Sequence, residues 1–186
     1  TSQHDMMLTD QCILVNEDDE VIGSQSKYEC HQWRDNSCLL HRAFSLFLFD
    51  SSDRLLLQRR SAQKITFPNL LSNTCCRHPL HIPNELVGQE HLGVKRASLR
   101  KLQQELGLQL SISPQDIIFL TRILYSAPCS PPPTSSTART SNSNAECKWG
   151  ENELDYILFH RLPSTLTDVQ VPFNADEVSE VIWVTS

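Results

Sequence analysis

Apolar residues in this chain fall in short blocks separated by polar turns, and the period of each block predicts its element. Residues 12–15 (Cys-Ile-Leu-Val) and 21–22 (Val-Ile) flank the acidic Asn16-Glu17-Asp18-Asp19-Glu20, which reads as an opening hairpin with a solvated turn. A clearer hairpin follows: residues 43–49 (Ala-Phe-Ser-Leu-Phe-Leu-Phe), the turn-rich Asp50-Ser51-Ser52-Asp53, then residues 55–58 (Leu-Leu-Leu-Gln). Its near-continuous apolarity predicts strands covered on both faces. Over residues 92–106 the period becomes helical, with Leu99, Leu102 and Leu106 at i, i+3 and i+7 and Gly107 placed to end the helix. Residues 117–125, 153–160 and 181–184 then read as strands. A β-rich order around one strong helix predicts a mixed α/β domain.

At 186 residues the chain has the length of about one domain, enough to bury a sizeable core. Apolar residues make up 39% and charged residues 20%, which excludes a collagen, a coiled coil or a disordered tail. No apolar run approaches the ~18 residues needed to cross a bilayer. A formal net charge of −6 argues against general nucleic-acid binding and leaves room for a local basic pocket. The seven cysteines, at 12, 30, 38, 75, 76, 129 and 147, include an adjacent pair and no Cys-x-x-Cys, so neither a disulfide framework nor a zinc ribbon is expected. Thr1-Ser2-Gln3-His4-Asp5 is not a secretory signal, so a reducing compartment is expected: the cytoplasm, with peroxisome or plastid left open. The chain does not begin with Met, which leaves a leader outside it open as well. Between residues 126 and 147, 15 of 22 residues are Ser, Thr, Pro or Asn. Such a stretch cannot bury enough apolar surface to offset its ordering entropy. It is read as a disordered insertion within one domain, because too little chain follows to form a second core.

The candidate chemistry is concentrated in a few segments. In Asn73-Thr74-Cys75-Cys76-Arg77-His78-Pro79, an extended backbone puts Cys76 and His78 on one face and Cys75 on the other. Cys76 is then a proton donor, a nucleophile or a ligand, against the alternative of a small buried hydrophobe. In Gly150-Glu151-Asn152-Glu153 the period of two aims both carboxylates at one side, where they need a metal, a proton or a cation, unless both face solvent. His31 and His41, together with His78, Glu151 and Glu153, make a possible site for a borderline divalent ion such as zinc or manganese. Arg59, Arg60 and Lys64, with Lys27 earlier, can neutralise a phosphate or simply solvate a hairpin end. Arg100-Lys101-Leu102-Gln103-Gln104-Glu105-Leu106-Gly107-Leu108 has the outline of the end of a Nudix box, but Lys101 and Gln104 stand where that box has glutamates. Its upstream Gly and Glu positions fall on Leu86 and Leu92. Loss of those carboxylates argues against diphosphate hydrolysis, while Glu105 alone can still hold one Mg²⁺.

Together these stretches resemble type 1 isopentenyl-diphosphate delta-isomerase, a metal-dependent family on the Nudix fold. The resemblance rests on Leu40-His41-Arg42-Ala43-Phe44-Ser45, Leu55-Leu56-Leu57-Gln58-Arg59-Arg60-Ser61, Lys64-Ile65-Thr66-Phe67-Pro68, Asn73-Thr74-Cys75-Cys76 with His78-Pro79, Glu105-Leu106-Gly107, and Trp149-Gly150-Glu151-Asn152-Glu153-Leu154-Asp155-Tyr156. It implies a single Nudix-type domain over 1–186, an α/β/α sandwich with a mixed β-sheet, acting in isoprenoid biosynthesis. The implied activity interconverts isopentenyl and dimethylallyl diphosphate by protonation and deprotonation through a carbocation. Carried over by position, Cys76 is the catalytic cysteine, Glu153 the catalytic glutamate and Tyr125 an assisting tyrosine. His31, His41, His78, Glu151 and Glu153 are implied to hold a divalent ion, Zn²⁺, Mn²⁺ or Mg²⁺. Glu105 is implied to hold the diphosphate-bound Mg²⁺, and Lys27, Arg60 and Lys64 to contact the substrate phosphates. Trp149 or Tyr125 would offer the cation an aromatic face. The implied partner is the small-molecule diphosphate, with no nucleic acid and no membrane, and the chain is expected to be a monomer.

The chain departs from the family in three places. Arg77 stands where a small Ser or Gly is usual, the 126–147 stretch is longer, and the chain stops at Ser186, where the family continues through a helical segment whose tryptophan covers the pocket. The alternatives are a Nudix pyrophosphohydrolase, disfavoured by Lys101 and Gln104, and a truncated, non-catalytic diphosphate-binding homologue, favoured by Arg77 and the early end.

Overall fold

The computed structural model describes residues 3–108, 110–129, 148–167 and 170–185. In chain order its elements are α1 (Gln3–Thr9), β1 (Gln11–Val15), β2 (Val21–Ser26), α2 (Lys27–Cys30), β3 (His41–Phe49), β4 (Leu55–Arg60), β5 (Leu71–Ser72), β6 (Cys75–Arg77), α3 (Leu92–Leu106), β7 (Ile118–Pro128), β8 (Gly150–Arg161) and β9 (Val178–Val184). Short 3₁₀ turns occupy Gln89–His91 and Pro114–Asp116.

The longest apolar block, β3, is the middle of one open mixed sheet. It runs parallel to β8 from His41↔Glu153 to Phe49↔Arg161 and antiparallel to β6 through Phe44↔Arg77, Ser45↔Cys76 and Leu46↔Cys75. β7 lines the far side of β8, while β4 pairs with β9 and β5. The opening hairpin forms as β1 and β2, with Leu14 opposite Gly23. The second hairpin needs correction. Its two strands form, but they pair only at Phe49↔Leu55, because β8 takes the length of β3 and β9 takes that of β4. β3 is buried at nearly every position, as expected of a strand covered on both faces, whereas β4 alternates between buried and half-buried.

Alternation along β3 divides the molecule. Phe44, Leu46 and Leu48 join Tyr156 and Leu158 of β8, Leu56 of β4 and Cys75 of β6 against Val94, Ala97, Leu102 and Leu106 of α3. Each such side chain contributes roughly 1.5–3 kcal/mol by leaving water. The helix ends where expected, at Gly107, whose φ of 60° lets its amide reach the Gln103 carbonyl oxygen. A Cβ there would lie 2.6 Å from the carbonyl oxygen of Pro172. α1 and α2 are short and pack on each other and on β1 and β2, so the α/β character rests mainly on α3 and the sheet.

β7 extends further than composition suggests. Ser126, Ala127 and Pro128 pair with Asn152, Glu151 and Gly150, so the first residues assigned to the insertion belong to the sheet. Residues 130–147, the rest of that insertion, lie outside the described residues. The six described cysteines are free thiols, and no described helix is long and apolar enough to cross a membrane.

Candidate active site and metal centre

Register on the sheet face opposite α3 assembles the site. His41 of β3, Glu153 of β8 and Tyr125 of β7 stand in one row across three strands. Two residues further along β3 and β8, Ala43, Asp155 and Ile123 make a second row, and Ser45 stands directly opposite Cys76. Period two on β6 therefore sends Cys76 and His78 into the cleft and Cys75 into the core, as alternation predicts. The cleft holds about 360 Å³, and its walls include Lys27, Arg60, Phe67, Cys76, Tyr125 and Glu153.

At one end of this cleft the five expected metal ligands converge. One ligand atom from each of His31, His41, His78, Glu151 and Glu153 lies within 4.8 Å of every other. The three imidazole centroids sit 4.8 to 4.9 Å apart. Nδ1 of His31 bonds the Lys27 carbonyl at 2.7 Å and Nδ1 of His41 bonds that of Leu39 at 2.8 Å. A carbonyl only accepts, so both rings carry their proton on Nδ1 and turn the Nε2 lone pair inward. Those two Nε2 atoms, and Oε2 of Glu151 only 2.9 Å from His31 Nε2, are buried without a hydrogen-bond partner. His78 Nε2 lies 2.7 Å from Glu153 Oε1. Unsatisfied lone pairs buried together are costly in a protein alone and are what a divalent ion demands, so the residues present fit such an ion.

The electrostatics separate the two carboxyls. Burial would push Glu151 up, but His31 and His41 beside it bring it down to about 2. Glu153 is pushed well up by burial, by Glu151 and by Asp155. Burial, followed by the neighbouring imidazoles, holds His41 down at about 4 and His78 well below the usual range, so these rings stay neutral. Burial, Glu153 and Asp155 raise Cys76 far above an ordinary thiol, which makes it a proton carrier instead of a thiolate nucleophile. The Ser45 hydroxyl donates to Asp155 Oδ2 at 2.8 Å, and its oxygen lies 3.5 Å from Cys76 Sγ. Ser45 and Asp155 stand in the stretches that carry the family resemblance but have no role assigned by it. The signal was available, since Asp155 follows the Glu151–Glu153 period by one more step.

The phosphate side differs from expectation. Lys27 and Arg60 do line the cleft, and Arg60 is aimed by the carbonyls of Phe67 and Thr66 at 2.9 and 2.7 Å. Phe67 adopts a left-handed φ of 47°, a strained conformation for a bulky residue, in presenting that carbonyl. Lys64 is not on the cleft wall; its ammonium is buried against Glu177. Arg59 turns to Glu180 at 2.9 Å, and Trp149 packs edge-on against Tyr28, 5.2 Å between centroids, away from the cleft. Glu105 is also behind the cleft, 1% exposed, with Arg77 on Oε1 and Gln58 on Oε2 at 3.2 Å. Burial would push its carboxyl up, but Arg77 and then Lys64 hold it below the usual carboxylate range. A carboxylate so committed does not fit a hexahydrate-like Mg²⁺.

The NUDIX domain family model matches residues 39–186. Over 98% of its length the chain is 45% identical to Isopentenyl-diphosphate Delta-isomerase II and 47% identical to Isopentenyl-diphosphate Delta-isomerase I of Clarkia breweri, spanning 57% of each. It is 45% identical to Isopentenyl-diphosphate Delta-isomerase I of Camptotheca acuminata, of which it spans 70%. A crystal structure of a Deinococcus radiodurans protein has the same fold, with a TM-score of 0.57 at 21% identity over 94% of this chain and 83% of the other.

Proposed function

We propose, since the chain belongs to the NUDIX domain family and within it to the isopentenyl-diphosphate Delta-isomerases, that it interconverts isopentenyl and dimethylallyl diphosphate. The observation that carries this reading is geometric: the Cys76 thiol and the Glu153 carboxyl line one cleft, and Glu153 is at the same time part of a cluster of metal ligands.

The reaction needs a proton on the terminal alkene carbon, giving a tertiary carbocation, and loss of a proton from the carbon next to the phosphate-bearing one. One C–H bond forms, one breaks, and nothing is oxidised. Cys76 and Glu153 are the groups able to hold those two protons, one toward each side of the alkene. Ser45 fixes the thiol from behind. Phe67, Leu70, Leu71 and Ile123 supply an apolar wall beside the alkene, with the last three exposed to solvent, and Tyr125 supplies an aromatic face. Lys27, Arg60 and Arg77 draw the diphosphate to the same cleft. A divalent ion held by His31, His41, His78, Glu151 and Glu153 would act as a Lewis acid that sets the charge carried by Glu153. Hydrolysis is not favoured, because Lys101 bonds Gln104 Oε1 at 3.0 Å where a hydrolase would gather carboxylates.

Incubation with isopentenyl diphosphate and a divalent ion in heavy water, followed by NMR, tests the proposal. Dimethylallyl diphosphate carrying deuterium is the expected product. Unchanged substrate, or isopentenyl monophosphate with free phosphate, would overturn it.

A further inference from the structure

Behind the cleft lies a buried charge cluster of which the reaction above uses only Arg77. Arg77 is 5% exposed, Glu105 1% and Glu177 3%. The Arg77 Nε donates to Glu105, and its Nη2 donates to Glu177 Oε2 at 2.7 Å. Lys64 approaches the same Glu177 oxygen. On β6 Arg77 stands opposite Phe44, on the side facing α3, yet it also reaches the cleft wall beside Cys76. A guanidinium carries five N–H groups in one plane, more than the two used in the Glu105 and Glu177 contacts above, and Arg77 also lines the cleft. Meanwhile both Glu105 oxygens are engaged, Oε1 by Arg77 and Oε2 by Gln58, with Cys75 Sγ at 3.8 Å.

Before the diphosphate binds, a divalent ion on Glu105 would have to displace a permanent cation from its carboxylate, or sit beside it with no added negative charge. Both are unfavourable in a buried site. We infer that Arg77 takes the place of the diphosphate-bound Mg²⁺ in this chain: its guanidinium neutralises Glu105 and presents fixed positive charge to the diphosphate, leaving the His/Glu cluster as the one divalent-ion site that substrate binding involves. The inference rests on the diphosphate reading of the cleft.

The test is calorimetric binding of inorganic pyrophosphate to the full chain carrying one Zn²⁺ at the His/Glu cluster, with and without millimolar Mg²⁺ at matched free pyrophosphate. Wild-type affinity changes by less than about threefold between the two conditions, whereas Arg77→Ser binds about tenfold more weakly without Mg²⁺ and recovers when it is added. Arg77→Lys, which keeps a cation for Glu105, binds pyrophosphate without Mg²⁺, and the wild-type comparison decides even if Arg77→Ser does not fold. A wild-type affinity that rises tenfold with Mg²⁺ and loses that rise in Glu105→Gln overturns the inference, as does no pyrophosphate binding at all. Pyrophosphate binding without Mg²⁺ alongside a failed isomerisation assay would overturn the proposed reaction and leave the role of Arg77 standing.

Discussion

Gly150 opens β8 one residue before Glu151, and its amide donates to the His31 carbonyl at 3.0 Å. A methyl group added there would lie 2.1 Å from Cε3 and 2.8 Å from Cζ3 of Trp33, and 2.9 Å from the carbonyl oxygen of Ala127. Relaxed carbon contacts are roughly 3.5–4.0 Å, so the indole must withdraw by about 1.5 Å. The ring is half-buried and can swing outward, but the Ala127 carbonyl belongs to the β7–β8 ladder and cannot, so Gly150→Ala carries an overpacking cost in the upper part of the range of about 1–3 kcal/mol. For a domain of this size about 2 kcal/mol lowers the Tm by about 4–8 °C. The displacement does not stop at the ring. The Trp33 amide is tied to the Lys148 carbonyl at 3.0 Å, and Trp33 follows His31 by two residues, so the shift moves a metal ligand. Ligand misorientation of this kind costs about 10–100-fold in metal affinity. Thermal melts of metal-free protein, with a Zn²⁺ titration against a competing chelator, measure both effects. A lowered Tm with zinc affinity within twofold of wild type would refute the coupling between Trp33 and His31, and an unchanged Tm would refute the close packing itself.

Other perturbations follow from the same geometry. Cys76→Ala and Glu153→Gln should each abolish deuterium incorporation while leaving the melt near wild type, because both face the cleft. Cys75→Ala, which trims a core thiol, should cost about 1 kcal/mol of stability and leave turnover largely intact; inactivation by Cys75→Ala alone would reverse the face assignment. Metal-free protein should lose stability as the pH falls through two windows. The His41 folded value of about 4 lies below its ordinary 6.5, so the unfolded chain takes that proton first and about 3 kcal/mol is lost between those values. Glu177, held at about 2 by Arg77 and Lys64 despite burial, contributes stability above its ordinary 4.5 that is lost as the pH falls toward 2. Denaturant midpoints that stay flat from pH 7 to 4 would contradict the neutral buried imidazole. Glu177→Gln should destabilise by about 3 kcal/mol in urea melts, since it leaves Lys64 and part of Arg77 buried without a countercharge, and a loss under about 0.5 kcal/mol would show the cluster to be solvated.

What the sequence disclosed was local, and what it withheld depended on distant partners. The runs forming β3, β8 and α3 are long and periodic enough to announce themselves. β5 and β6 span only two and three residues, and α1 and α2 seven and four, too short for any period to register. Adjacent strands with a turn between them suggested a β3–β4 hairpin, yet the ladder closes after Phe49↔Leu55. Nothing local reveals that β8, more than a hundred residues onward, competes for β3 and wins it along its full length. The metal cluster was legible for a different reason. Period two fixed the common direction of Glu151 and Glu153, and parallel register then set Glu153 opposite His41 without further adjustment.

Positional resemblance carried Glu105 and Lys64 to the diphosphate without their neighbours, and those neighbours, Arg77 and Glu177, pair both residues behind the cleft wall. The corrective signal lay in the alternation already used for the cysteines. If Cys76 and His78 face the cleft, Arg77 must face the layer of α3, and an arginine sent into a core has to meet carboxylates there. Glu105, on the buried face of α3, is one such carboxylate, and Glu177, just ahead of β9, is the other. A single residue thus joins β6, α3 and the entry to β9, so the charge proposed to meet the diphosphate is fixed by the same contacts that tie β6 to the entry of β9. Stability and anion affinity should therefore fall together when Arg77 is lost, whereas removal of a cleft-lining cation such as Arg60, held by the carbonyls of Phe67 and Thr66 and the Thr66 hydroxyl, should weaken the anion with little loss of stability.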